Sequence, residues 1–181
     1  MKPFSIDVPT LPAGHVVLRP AQLSDASEID RAVSEYNVSK MTSSIPHPVI
    51  DGATEGFLNS VIEADRKEMV WAIVPADKGT PLYGLISLEK SDQADVEIGY
   101  WIAPDHWGKG AASAAVRALV RWNPLECADY FGSCFIDNPA SARVMIKAGF
   151  IEIGSGSCYS EARKEDVATR KFHCRLRPIS V

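Results

Sequence analysis

The segment from Val96 to Trp122 constrains this chain more than any other. It reads V-E-I-G-Y-W-I-A-P-D-H-W-G-K-G-A-A-S-A-A-V-R-A-L-V-R-W. A strand over Asp95–Ala103 runs through a glycine turn into a helix over Gly110–Trp122. Gly108 and Gly110 lack a Cβ, so the backbone can turn sharply there and approach another group closely. Ala111 and Ala112 keep the first helical turn thin, which leaves its free N–H groups and the positive end of the helix dipole open. The helix is apolar on most sides (Ala114, Ala115, Val116, Ala118, Leu119, Val120), with Arg117 and Arg121 as its polar edge. A helix of that kind is buried, which holds its N-terminus rigidly. Trp107-Gly108-Lys109-Gly110-Ala111-Ala112 is therefore either a tight strand-to-helix turn or a phosphate cradle. It matches neither the G-x-x-x-x-G-K-[ST] loop nor the dinucleotide G-x-G-x-x-G.

A second segment has both helix ends marked. Asn138 is a favoured N-cap, Pro139 sits where a missing N–H costs nothing, and Gly149 falls just past the end. Over Pro139–Ala148 the residues Ser141, Val144, Met145 and Ala148 share one face, with Arg143 and Lys147 on the other. Ser141 thus points inward, and a buried hydroxyl needs a partner. That partner is either a carbonyl of its own helix or a group in a cleft. Two strand–helix units, the first opening on a phosphate-type turn, imply a ligand carrying a pyrophosphate.

At 181 residues and 46% apolar, the chain fits a single domain over residues 1–181. The formal charge is −4 with both signs interspersed, so no basic face points to nucleic acid. Cys127, Cys134, Cys158 and Cys174 are widely spaced, without a C-x-x-C pair, so neither a zinc site nor a disulfide framework is expected. No metal ligand set is predicted. The opening M-K-P-F-S-I-D-V has no apolar core of a signal peptide, and no apolar run is long enough to span a bilayer. The expectation is a cytoplasmic protein with reduced thiols and no membrane partner, compatible with a homodimer.

The remaining pattern supplies the fold class. His15–Ala21 reads as a first strand. Asp25 and Glu28 form a capping box before a helix carrying Ile29, Ala32, Val33 and Tyr36. Pro46 and Pro48 mark the stretch up to Ile50 as loop. A second helix spans about Asp51–Lys67, followed by strands at Met69–Val74 and Leu82–Leu88. Phe131–Ile136, Phe150–Ile153 and Val167–Leu176 complete the strands. Seven strands, often joined by short turns, predict an α+β (α/β) architecture. Its core is a mixed, mostly antiparallel central sheet with helices on both faces.

The pair W-G-K-G-A-A and N-P-A-S-x-x-x-x-x-K-A-G-F resembles the GNAT superfamily of acyl-CoA-dependent N-acetyltransferases. With E-I-G-Y-W-I-A-P before it and V-L-R-P-A near the start, the chain is most similar to the branch that acetylates ribosomal-protein N-termini. The resemblance runs from about Leu18 to Leu176. It implies a V-shaped cofactor cleft between the Asp95 and Phe131 strands and acetyl-CoA as co-substrate. The pantetheine arm would bond to backbone near Trp101 and Ile102, and the pyrophosphate would sit on N–H groups of Trp107, Gly108, Lys109, Gly110, Ala111 and Ala112. Asn138 would also reach the pantetheine arm. Many members place an acidic tyrosine seven residues after that Asn. Here the position is Met145, and Ser141, one turn earlier, is the natural substitute.

Direct attack of an amine on a thioester needs a neutral amine, donors for the oxyanion and an acid for the thiolate. Glu97, the carboxylate inside the central strand, is the candidate base acting through a water, and a solvent-facing Glu97 is the alternative. Strand parity puts Glu97, Gly99 and Trp101 on one face and Ile98, Tyr100 and Ile102 on the other. Tyr100 reads equally as core. His47 and Glu35 lie in the region of acceptor loops, whereas His106 and His173 read as surface residues. Three functions fit. The first acetylates a protein or peptide N-terminus and the second a small amine such as an aminoglycoside or polyamine. The third is a non-catalytic acyl-CoA sensor. The loop from Tyr36 to Ile50 carries no carboxylate, which counts against the small amine.

Overall fold

A computed structural model describes residues 7–63, 66–78, 80–90 and 95–176. The turn containing Gly79 and the first six residues of the N-terminal reading fall partly or wholly outside these, and the second helix, expected to reach Lys67, ends at Ile62 with Glu63 extended. The strands are β1 (Leu11–Ala13), β2 (Val16–Pro20), β3 (Glu68–Pro75), β4 (Gly84–Lys90), β5 (Val96–Ile102), β6 (Asp129–Phe135), β7 (Ile151–Ser160) and β8 (Glu165–Arg175). They form one sheet in the order β1-β2-β3-β4-β5-β6-β8-β7, antiparallel except where β5 meets β6. The helices are α1 (Ala26–Val33), α2 (Tyr36–Ser39), α3 (Ala53–Ile62), α4 (Ala111–Trp122) and α5 (Pro139–Lys147).

Both faces of the central strands are covered, as the run M-V-W-A-I-V-P of β3 requires. Met69, Trp71 and Ile73 of β3 pack with Ile86, Leu88 and Ile98 beneath α4 and α5. Val70, Ala72 and Val74 alternate with them and pack with Leu85 against α1 and α3. No described helix is long and apolar enough to cross a membrane.

Among the described residues the sheet has eight strands against about seven expected, because the three-residue β1 is too short to show a period but pairs in register with β2. Three expectations are corrected. The first helix stops at Val33, and Tyr36 opens the separate four-residue α2 inside the stretch expected to be loop. The Asp25–Glu28 capping box does not form. Arg19 takes the Asp25 carboxylate with two donors at 2.9 and 2.6 Å, and Glu28 accepts from the Leu82 N–H at 2.7 Å. Finally, β7 extends to Ser160, well past Ile153, as a long hairpin with β8.

Candidate active site

The site begins where β5 and β6 separate. They pair only at Val96–Tyr130 and Glu97–Phe131, and beyond that point the parallel strands splay apart. The edge of β5 facing β6 is thereby left free. Ala103 N–H donates to Tyr83 on the β4 side at 2.8 Å, and the Trp101 carbonyl is turned toward Gly84 of β4. Alternation along the strand then gives the cleft the backbone groups of Tyr100 and Ile102. Trp101, named with Ile102 from the sequence, has its backbone in the β4 ladder and its ring packed toward the α1–α3 cluster. The Ile102 carbonyl accepts from the Trp107 indole at 2.6 Å, which pins the turn after β5 back onto the strand.

At the mouth of this opening, Gly108 and Gly110 have φ of 72° and 80°, a region closed to most side chains. Gly110 caps α4 without a side-chain bond, so no side chain covers the N–H groups of its first turn from the cap position. Lys109 is exposed beside them, Ala111 is buried and Ala112 half-buried. On the other arm, Asn138 caps α5 by accepting from the Ser141 N–H at 3.1 Å.

Ser141 does not bond back into its helix. Its Oγ lies 2.8 Å from the Tyr100 hydroxyl, which is also within reach of the Ser141 carbonyl at 3.2 Å. Tyr100 is therefore a site residue that sequence parity alone left as core, and only the β5–α5 packing identifies it. Burial pushes its phenol well above the ordinary range, against a smaller opposing effect of the Ser141 bond. The Cys134 thiol also bonds to Ser141 and is pushed up chiefly by burial. Met145 is core: Gly132 has no Cβ, and Met145 fills the space beside it against Ile98.

Glu97 projects from the opposite face of β5. It is exposed and accepts from Ser133 Oγ at 2.9 Å. It borders a cavity of about 540 Å³, floored by Gly99, Trp101 and Ser133 and roofed by Met41, Ser43 and Phe57 among others. Ser141 and Glu97 thus approach the splayed strands from opposite faces. The floor holds more charge than the sequence reading gave it. Glu68, Glu89 and Glu97 are direct cross-strand neighbours on β3, β4 and β5, and all three border the cavity. Burial raises both Glu68 and Glu89, and Glu97 raises Glu89 further. The acidity missing from the 36–50 loop is supplied by the sheet, and its only sequence signal is a set of three glutamates whose register is invisible before folding.

The remaining candidates lie elsewhere. The His47 ring lies tilted against Tyr36 with centroids 5.1 Å apart, and Glu35 is exposed at the start of α2. His106 and His173 are half-buried instead of fully exposed. One stacks on Tyr83 and the other bonds Asp129 at 2.7 Å. All four cysteines are free.

The family model for the acetyltransferase (GNAT) domain matches residues 15–151. The chain belongs to this family. GNAT enzymes move an acetyl group from acetyl-CoA to an amine, and the chain has their fold. Among curated proteins it is 35% identical to the ribosomal-protein-serine acetyltransferase of Escherichia coli, over 78 residues. That match covers 41% of this chain and 44% of the relative. It is 39% identical over 77 residues to the putative ribosomal N-acetyltransferase YdaF of Bacillus subtilis, covering 40% and 42%. The chain therefore matches less than half the length of either relative. Among solved structures, RimL, a ribosomal L7/L12 alpha-N-protein acetyltransferase in complex with coenzyme A, superposes with a TM-score of 0.80. Identity is 17%, over 93% of this chain and 98% of that one. Spermidine N-acetyltransferase from Vibrio cholerae gives 0.70 at 22% identity, over 87% and 94%.

Proposed function

We propose that this protein is a cytoplasmic enzyme that acetylates the N-terminal amine of a protein or peptide. One observation carries this reading: Ser141 and Glu97 meet the same splayed strand pair from opposite faces, which suits a thioester held between an acid and a base. Acetyl-CoA supplies the activated acetyl group when bound. The N–H groups at the start of α4, from Trp107 through Ala112, hold its pyrophosphate, with Lys109 beside them. The free edge of β5 at Tyr100 and Ile102 takes the pantetheine arm as an added strand, and the Asn138 amide reaches it from α5. Ser141 donates a hydrogen bond to the departing thiolate. Glu97 receives the amine proton through a water.

The peptide acceptor is supported by the two ribosomal relatives and by a cavity wide enough for a chain terminus. A second reading, a small cationic amine, is favoured by one specific observation. Like charges directly opposite across strands are unfavourable, and the row Glu68–Glu89–Glu97 is relieved by a polycation. Thiol release from acetyl-CoA, followed with peptides bearing N-terminal serine or alanine and with polyamines, separates the two. Turnover with the peptides, lowered roughly tenfold to a hundredfold by Ser141→Ala at unchanged CoA affinity, is the expected result. Turnover with polyamines alone replaces the first reading by the second, and CoA binding without turnover removes both.

A further inference from the structure

The acid assigned to Ser141 raises a question of direction. A serine hydroxyl has a single proton and can aim it into the cleft only if its oxygen is held from elsewhere. Tyr100 lies within reach of both Ser141 Oγ (2.8 Å) and the Ser141 carbonyl (3.2 Å), and it too has a single proton. Two arrangements follow. If Tyr100 donates to the carbonyl, the serine proton rests on the phenol oxygen and is spent there. If Tyr100 donates to Oγ, the serine proton is free for the cleft, and the bond it receives makes it a stronger donor.

We propose that Tyr100 is the positioning residue of Ser141, turning the serine proton toward the sulfur that leaves acetyl-CoA. This rests on the reading of Ser141 as the thiolate's donor. Tyr100 reaches across from β5, while Asn138 fixes the serine backbone N–H from the helix start. The serine is therefore held at its nitrogen by Asn138 and at its hydroxyl by Tyr100. The Tyr100 phenol stays protonated, because its surroundings disfavour the anion. It acts by orientation alone. No proton leaves it, and Ser141 keeps its own proton in the hydrogen bond that it gives the thiolate. Cys134, from β6, is the other titratable group at this spot, and a thiol is too weak a donor to replace the phenol.

The test needs no acceptor. Coenzyme A is bound to the protein, and its thiolate absorbance is titrated against pH relative to the same protein without CoA. Wild type, Tyr100→Phe, Ser141→Ala and the double variant are compared, with free CoA titrated alongside. In wild type the bound thiol ionises below its value in free CoA. Tyr100→Phe and Ser141→Ala each raise that pKa by about one unit, a tenfold change in thiolate population, and the double variant raises it no further. With a turning-over acceptor, Tyr100→Phe lowers kcat about tenfold at constant KM for acetyl-CoA. A wild-type pKa in Tyr100→Phe beside a raised one in Ser141→Ala would overturn the role of Tyr100 and leave Ser141 standing. A wild-type pKa in Ser141→Ala defeats the reading beneath it. Additive shifts in the double variant also overturn the proposal, since Tyr100 then acts on the thiol without Ser141.

Discussion

The wall of the cleft that carries α4 and α5 and the wall that carries the cavity are assembled in different ways. The first comes from short, contiguous stretches: a glycine turn running into α4, and an Asn-Pro start with a glycine stop around α5. Its functional groups are mostly backbone. The second gathers side chains from α1, α3, the loop after α2 and strands β3 to β8. That loop is braced from the tip of the β7–β8 hairpin. There Arg163 donates to the Lys40 carbonyl at 2.7 Å and grips Asp137 at 2.8 and 3.1 Å. The difference teaches that backbone sites are written locally, whereas side-chain pockets depend on register and on contacts between distant segments.

Breaking the ion pair between β2 and the start of α1, outside the cavity lining, has the largest expected effect. Asp25 is only 4% exposed and depends on Arg19. Arg19→Met leaves that carboxylate buried without its cation and costs about 3 kcal/mol, read as a lower denaturation midpoint. The loss concentrates on the α1 side, and CoA binding by the surviving folded protein is retained. The reciprocal break is Gly110→Val. A β-branched residue at φ 80° is strained by about 1–2 kcal/mol and crowds the N–H groups of α4. CoA affinity should fall at least tenfold by calorimetry, with the cavity wall untouched.

Sharper still is the pair Glu68→Gln and Glu89→Gln. Both carboxyls are raised in the fold, so the folded chain binds more protons than the unfolded one from the ordinary glutamate range upward. Stability therefore falls as pH rises through that window. The glutamines remove this loss, so the variants melt higher than wild type at pH 7 and alike at pH 4. If the acceptor is cationic, its KM rises about tenfold in the same variants while CoA affinity holds, and an unchanged KM assigns the row no part in binding. The smallest effect belongs to Arg163→Ala. Its partner Asp137 is half in solvent, so stability drops by less than about 1 kcal/mol. Acceptor KM still rises a few-fold as the roof loosens, measured against an unchanged KM for acetyl-CoA.

The sequence made much of the fold legible, and the reasons are local. The strand β5, the turn at Gly108 and Gly110, the helix α4 and both ends of α5 each carry their signal within a few residues. The parity of β5 also held: Ile98, Tyr100 and Ile102 pack toward the α4–α5 cluster, whereas Trp101 packs toward α1 and α3. Where the reading fell short, the deciding partner was distant or the pattern was missing. Both faces of β7 are largely exposed, so Glu152 to Ser157 show no alternation, and pairing with β8 alone makes them a strand. Asp25 looked like a cap from its neighbours, but Arg19 offered it a charged fork.

By itself the sequence determined the backbone of the wall that carries α4 and α5, because glycine, proline and asparagine act on the dihedrals where they stand. It also determined that Ser141 faces inward, since helical period fixes direction. Tertiary structure alone decided what Ser141 touches, which face of β5 Glu97 takes, and that three glutamates 29 positions apart from first to last share one floor. Those facts depend on strand register and on the angle between β5 and α5. Both are set by how the whole sheet packs between its two layers of helices, and no short stretch of chain records that packing.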